Sequence, residues 1–177
     1  ALVPSPLLGD VLELMKAGES PFQNIEKDLT AIDADMAATL VGSSNSADPA
    51  GGIARLGGKF STERLSVTRY LGLQGYYGLY PSYTFAHEIG HNLGASHNRE
   101  QYENNGQDQT YIFSYAFGYL IENVQRTIMS YTSEAYGDET RIPRFSHPSI
   151  SYNGYPTGIS TAGDNSAFIA RAFTNNR

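Results

Sequence analysis

Apolar residues at Leu7, Leu8, Val11, Leu12, Leu14 and Met15 recur at helical spacing and stop before Gly18. This predicts a short amphipathic helix packed against a core and closed by glycine. Ser20 followed by Pro21 suits an N-cap with proline at the first helical position, and Phe22, Ile25, Leu29 and Ile32 line up as one stripe of a second helix. The compact apolar run 36–41, from Met36 and ending at Gly42, reads as a buried strand. Residues 42–52, rich in Ser, Asn, Asp, Pro and Gly, read as a loop. Residues 53–56 are hemmed in by Gly51, Gly52, Gly57 and Gly58, the pattern of a short edge strand. The alternation over 65–71 makes that segment its neighbour. Ser82 is placed to cap a helix running through Tyr83, Phe85, Ala86, Ile89 and Leu93 and stopped by Gly94. Further on, 111–121 is aromatic and fits either strand or packed loop, 143–158 is too rich in Pro, Ser, Asn and Gly for regular structure, and 167–173 suggests a closing helix.

Length and composition narrow the class. A chain of 177 residues suits a single domain, 1–177, with one core. No apolar stretch is long enough to span a bilayer, and the formal charge of −6 argues against a footprint for nucleic acid or anionic membrane. Cysteine is absent, which excludes disulfides, a thiol nucleophile and thiolate metal ligands. Any metal must therefore bind through nitrogen and oxygen. The start at Ala1 suggests a processed chain from which leader and propeptide segments were removed.

The chemistry concentrates in the run HEIGHNLGASH. On a helix, His87 and His91 are four positions apart and project from one face on successive turns, so both imidazoles can reach one ion. Glu88 points beside that ion, placed to act on a water rather than to ligate. Gly94 permits the positive φ that ends the helix and lets the chain bring His97 back as a third ligand. Three neutral imidazoles suit zinc and leave a fourth position for water, the arrangement of a catalytic site. Such a site hydrolyses peptide bonds, with Glu88 taking a proton from the water and passing it to the departing amine. A bare HExxH also arises on solvated helices by chance; the added glycine and third histidine make that reading far weaker.

With those residues in place the sequence resembles the metzincin clan, whose signature HExxHxxGxxH is matched by His87, Glu88, His91, Gly94 and His97. The run Thr127, Ile128, Met129, Ser130 and Tyr131 is similar to the clan's methionine turn, which implies that Met129 forms the floor beneath the metal. In isolation Met129 would read as an ordinary core methionine. Tyr131 is similar to the tyrosine that astacins and serralysins use near zinc, which implies a catalytic role; a buried phenol with a local hydrogen bond is the alternative. Gly52, Ile53 and Ala54 resemble the edge strand of the reprolysin or adamalysin type, and Pro143, Arg144, Phe145 and Ser146 resemble the loop after its methionine turn. Two departures stand out: Asn98 occupies the place of the usual aspartate, and the type's frequent cysteines are missing.

The resemblance implies an α/β (α+β) fold: a twisted mixed sheet with an exposed edge strand, an active-site helix, and an irregular C-terminal subdomain ending in a helix. Because the first 35 or so residues look helical, the strand, helix and strand that usually open such domains are expected to lie partly outside this sequence. The resemblance also implies that 142–149 lines the pocket for the residue after the cut, and that 53–56 pairs with an extended polypeptide substrate. His147 is then pocket wall or surface. Asp33, Asp35, Asp138, Glu139 and Asp164 allow a calcium site, solvated loop charges being the commoner case. The leading reading is a secreted, monomeric zinc endopeptidase. Two alternatives remain: a noncatalytic binding domain that kept the fold, which loss of Glu88 or a histidine would favour, and a zinc hydrolase of small molecules, which a closed pocket would favour.

Overall fold

The computed structural model describes residues 6–42, 47–48, 50–57, 64–70, 83–104, 112–133, 137–160 and 166–175. The chain forms a mixed α+β fold in two compact units, Ala1–Asn92 and Leu93–Arg177.

In the first unit, helix α1 (Leu8–Ala17) buries Leu8, Val11, Leu12 and Met15 and ends at Gly18, whose φ of 63° lets its N–H return to the carbonyls of Leu14 and Met15. The anticipated stop is present, and so is the stripe except that Leu7 is the exposed N-cap residue and Leu14 is only half-buried. Helix α2 (Ile25–Ala31) starts later than the Ser20–Pro21 signal suggested, with Asn24 as N-cap. Turns formed by the Phe22 N–H on the Glu19 carbonyl and the Ile25 N–H on the Phe22 carbonyl occupy the expected first helical turn. Ile32, assigned to the apolar stripe, is the C-cap residue and is 74% exposed.

Three strands follow: β1 (Ala37–Gly42), β2 (Gly52–Ala54) and β3 (Leu65–Tyr70). Their order is β1-β3-β2, with β1 parallel to β3 and β2 antiparallel to it. Among the described residues the glycine-flanked segment is thus an edge strand, as its sequence anticipated. Strand β1 corrects the expectation of full burial: its positions alternate between partly buried and exposed, as befits the opposite edge of a sheet with one covered face. Leu65 and Val67 on β3 join Leu8, Val11, Leu12 and Met15 in one core, flanked by Phe22, Ile25, Ala37, Val41 and Ile53. Helix α3 (Thr84–Asn92) completes the unit. Its proposed cap, Ser82, lies outside the described residues.

The second unit is built largely from loops held by short bridges. Helix α4 (Arg99–Asn104) was not anticipated. Strands β4 (Leu120–Ile121), β5 (Gln125–Arg126) and β6 (Thr140–Arg141) form a small sheet, β4 antiparallel and β6 parallel to β5. The segment expected to lack regular structure contains a hairpin, β7 (Ser151–Tyr152) and β8 (Tyr155–Pro156). Asn153 and Gly154, with φ of 52° and 84°, make the tight turn that this dipeptide favours between strands. The closing helix α5 (Ile169–Asn175) is present, shifted slightly toward the C-terminus. Ser146 anchors it by donating its hydroxyl to the Phe117 carbonyl and accepting from the Ile169 N–H.

Candidate active site

Helix α3 forms because Thr84 to Asn92 contains neither proline nor a β-branched run, and His87 N–H closes on the Tyr83 carbonyl to start it. His87 and Glu88 are buried at 5% exposure each, an unusual state for a charged side chain without a task. The His87 and His91 rings meet edge to face with centroids 4.8 Å apart, as the four-residue spacing requires. Asn92, fully buried, donates its amide to the carbonyls of Arg55 and Leu65 at 3.0 and 2.9 Å. One side chain therefore fastens the helix end to the chain after β2 and to the start of β3. Gly57 adds a backbone bond to the His91 carbonyl at 2.7 Å.

Gly94 turns the chain with a φ of 88°. The following segment is held in extended form by a bridge between Ser96 and Phe117: Ser96 N–H donates to Ala116, and Gly118 N–H reaches both Ser96 and His97 carbonyls. His97 is thereby fixed through its own backbone. One ring nitrogen from each of His87, His91 and His97 lies within 4.8 Å of the others, a grouping that could hold one ion once the rings draw in to nitrogen-ligand distances of about 2.0 to 2.1 Å. With no cysteine in the chain and no carboxylate in the group, the donor set is three imidazoles, which suits zinc better than calcium or magnesium.

Met129 is fully buried, and the Ser130 N–H to Thr127 carbonyl bond closes a tight turn around it. Gly118 packs against this turn so closely that a Cβ there would lie 2.8 Å from the Met129 carbonyl carbon and the Ser130 nitrogen. The Tyr131 ring stands edge to face with His97, centroids 4.5 Å apart, and remains 41% exposed. Tyr131 is therefore not the buried phenol of the alternative reading. Asn98, 4% exposed, accepts the Tyr131 N–H on its side-chain oxygen at 3.0 Å. This bond needs an oxygen acceptor, which Asn supplies as well as Asp, so the departure from the usual aspartate keeps the connection and loses only the charge. Asn98→Ala should cost about 1 kcal/mol by removing the acceptor of a partly buried N–H, read as a lower urea midpoint, whereas Asn98→Asp should stay close to the parent.

Arg126 reaches the same turn, donating from Nη1 to the Ser130 carbonyl at 2.7 Å and from Nε to the Glu139 carbonyl at 3.2 Å. Its pKa is lowered to about 10, first by burial and then by neighbouring Arg141, against the opposing pull of Glu139 and Tyr131. It still carries its charge at neutral pH. For Glu139, burial pushes the carboxyl up, but hydrogen bonds led by the Ser133 hydroxyl, with the Ser133 and Asn123 N–H groups, hold it below the usual range. Its oxygens serve this loop. Among the described residues no other set of three histidine or acidic side chains gathers around a point, so Asp33, Asp35, Asp138 and Glu139 are not brought together; Asp164 lies outside the described residues. His147 accepts the Ser149 N–H on Nδ1 and stacks edge to face near Phe168, consistent with a loop position.

Residues 10–146 match the family model Reprolysin_5, metallo-peptidase family M12. The chain belongs to metallo-peptidase family M12. Among its relatives is a peptidyl-Asp metalloendopeptidase of Xanthomonas campestris pv. campestris, 37% identical over 93 residues, which are 52% of this chain and 21% of the relative. A protein of the same name from Stenotrophomonas maltophilia is 39% identical over 87 residues, 47% of this chain and 19% of that one. The matches thus span about a fifth of each relative's length. A solved structure titled "Structure of a chaperone-substrate complex" is similar in fold, with a TM-score of 0.58 and 16% identity, covering 98% of this chain and 24% of that one.

Several residues that build this site carried little signal in the sequence. Asn92 and Gly118 act through what they touch across the fold, and Arg126 lies in a two-residue strand too short to show a pattern. Gly52 was visible only as a flank or member of the edge strand, not as a neighbour of Glu88.

Proposed function

We propose that this chain is the catalytic domain of a secreted, monomeric, zinc-dependent endopeptidase of the reprolysin-like kind. The observation that carries the reading is the clustering of three imidazole nitrogens within 4.8 Å beside a buried, non-ligating Glu88. His87, His91 and His97 would hold the ion, with Met129 as the proposed floor residue of the site. When bound, zinc supplies a Lewis acid that eases ionisation of the attacking water and polarises the scissile carbonyl. Glu88 takes the proton of that water and delivers it to the leaving amine. The Tyr131 hydroxyl donates a hydrogen bond to the oxygen of the tetrahedral intermediate. Substrate lies extended along β2, whose outer edge offers main-chain N–H and C=O groups for a further strand.

We further propose a preference for bonds beside aspartate, following the name shared by the relatives. The loop after the methionine turn supports it. The Arg144 carbonyl accepts the N–H of Ile128, next to Met129, and the Arg144 guanidinium is exposed, lies over the Tyr152 ring at 5.6 Å and forms no ion pair among the described residues. A cation free to meet solvent on this wall is a ready partner for a substrate carboxylate.

Digestion of an unfolded protein, with fragment ends mapped by mass spectrometry, tests the reading. Cleavage concentrated at aspartate, stopped by a chelator and restored by stoichiometric zinc, is expected. Cleavage that survives removal of bound metal would exclude the mechanism, and metal-dependent cleavage without preference for aspartate would exclude the specificity.

A further inference from the structure

We infer that Gly52 is a positioning residue for the Glu88 carboxylate: the missing side chain on the edge strand is the space in which that carboxylate sits. A Cβ at position 52 would lie 2.5 Å from Glu88 Oε1, 2.6 Å from Cγ and 2.8 Å from Cδ. All three distances are shorter than side chains tolerate, and they run along the whole acid rather than its tip. Moving only the carboxylate would not relieve the contact at Cγ, whose place is set by χ1. A side chain at 52 therefore forces Glu88 into another staggered rotamer or pushes β2 away from α3.

The backbone makes the second outcome the harder one. Gly52 pairs with Thr68 in the antiparallel register of β2 on β3, and Ile53 and Ala54 continue it against Val67 and Ser66. On the other side, the Asn92 amide ties the end of α3 to the Arg55 and Leu65 carbonyls. Strand and helix are thus fastened to each other just beyond the contact, and the side chain of Glu88 is the softest element between them. Neighbouring Gly51 provides the contrast, because a Cβ there would meet only the Thr84 side chain, at 3.3 Å and beyond. The same β2 residue serves two needs at once. Its main chain stays in the ladder next to the substrate edge, and its lack of a Cβ leaves the acid in place.

This inference rests on the proposed role of Glu88, so the test separates the two. Kinetics on a peptide substrate, with bound zinc and thermal midpoint measured alongside, should show Gly52→Ala lowering kcat about 100-fold, with KM within about twofold and zinc retained. Gly51→Ala should keep most of the parent kcat. A thermal-stability cycle adds a readout independent of turnover. The loss of Tm caused by Gly52→Ala should largely disappear in a Glu88→Ala background, where no Cγ remains to collide. Should Gly52→Ala alone fail to fold, the double variant is expected to fold, and an unfolded double variant would overturn the inference. An unchanged kcat, an effect confined to KM, or an equal Tm loss in both backgrounds would also overturn it. If the parent chain cleaves nothing, the proposed function fails, while the stability cycle still decides whether Gly52 houses Glu88.

Discussion

Replacing Glu88 with glutamine should lower kcat by about 10³- to 10⁴-fold, within the range that loss of a positioned acid–base group produces, while one zinc per chain is retained. Glutamine is the informative choice because it keeps the shape that fills the space beneath Gly52, where the Glu88 Cγ, Cδ and Oε1 all lie close to the strand. The edge strand then stays as it is, and only the ability to accept a proton is lost. Because Glu88 is absent from the group of nitrogens that could hold the ion, metal content should follow the histidines and not position 88. The measurements are kcat and KM on a peptide and metal content by elemental analysis of the same preparation. Retained turnover would remove Glu88 from the proton path. Loss of zinc together with turnover would show that Glu88 supports the ligands instead of the water.

The candidate site was legible in the sequence to an unusual degree because its geometry is local. Four of its positions fall on one nine-residue helix or just beyond the glycine that ends it, so helical spacing and a single positive φ account for His87, Glu88, His91 and His97. Helix α1 was legible for the same reason, its stripe and Gly18 stop lying within one periodic segment. Position, by contrast, was illegible wherever long-range pairing decides it. The Ser20–Pro21 signal lost to turns closed by Glu19 and Phe22 carbonyls, and β5 and β6 are two-residue strands whose partners lie 15 positions apart in the register. The β7–β8 hairpin shows a different failure. Its Asn153–Gly154 turn is a two-residue signal inside a segment whose Pro, Ser, Asn and Gly content as a whole reads as irregular backbone.

The interaction least visible in the sequence carries the other large expected effect. Asp48, within a segment that reads only as loop, accepts the Leu8 N–H at 2.8 Å at the start of α1 and the Arg69 Nη2 at 2.9 Å. The Arg69 side chain is 2% exposed and also donates to the carbonyls of Pro6 and Ala50. The Asp48 side chain is itself 20% exposed, so losing it costs less than breaking a fully buried pair, about 1.5 to 3 kcal/mol, the range for a hydrogen bond to a charged group. Asp48→Ala should therefore lower unfolding free energy by about 2 kcal/mol, read from urea denaturation at neutral pH; Asp48→Asn, which keeps an oxygen for the Leu8 N–H, should lose less. The pH dependence gives a second check. The Leu8 N–H lowers the Asp48 carboxyl most, burial opposes it, and the Arg69 hydrogen bond and charge lower it further, leaving it below its ordinary value. A carboxyl held low when folded contributes its stability in full above the unfolded value, about 3.9, and loses it as pH falls through the folded value. The gap between parent and Asp48→Ala should accordingly stay constant from about pH 8 to 5 and narrow below about pH 4. A gap that is absent at pH 7, or that persists undiminished in acid, would mean that the buried guanidinium is held by its carbonyls rather than by this carboxylate.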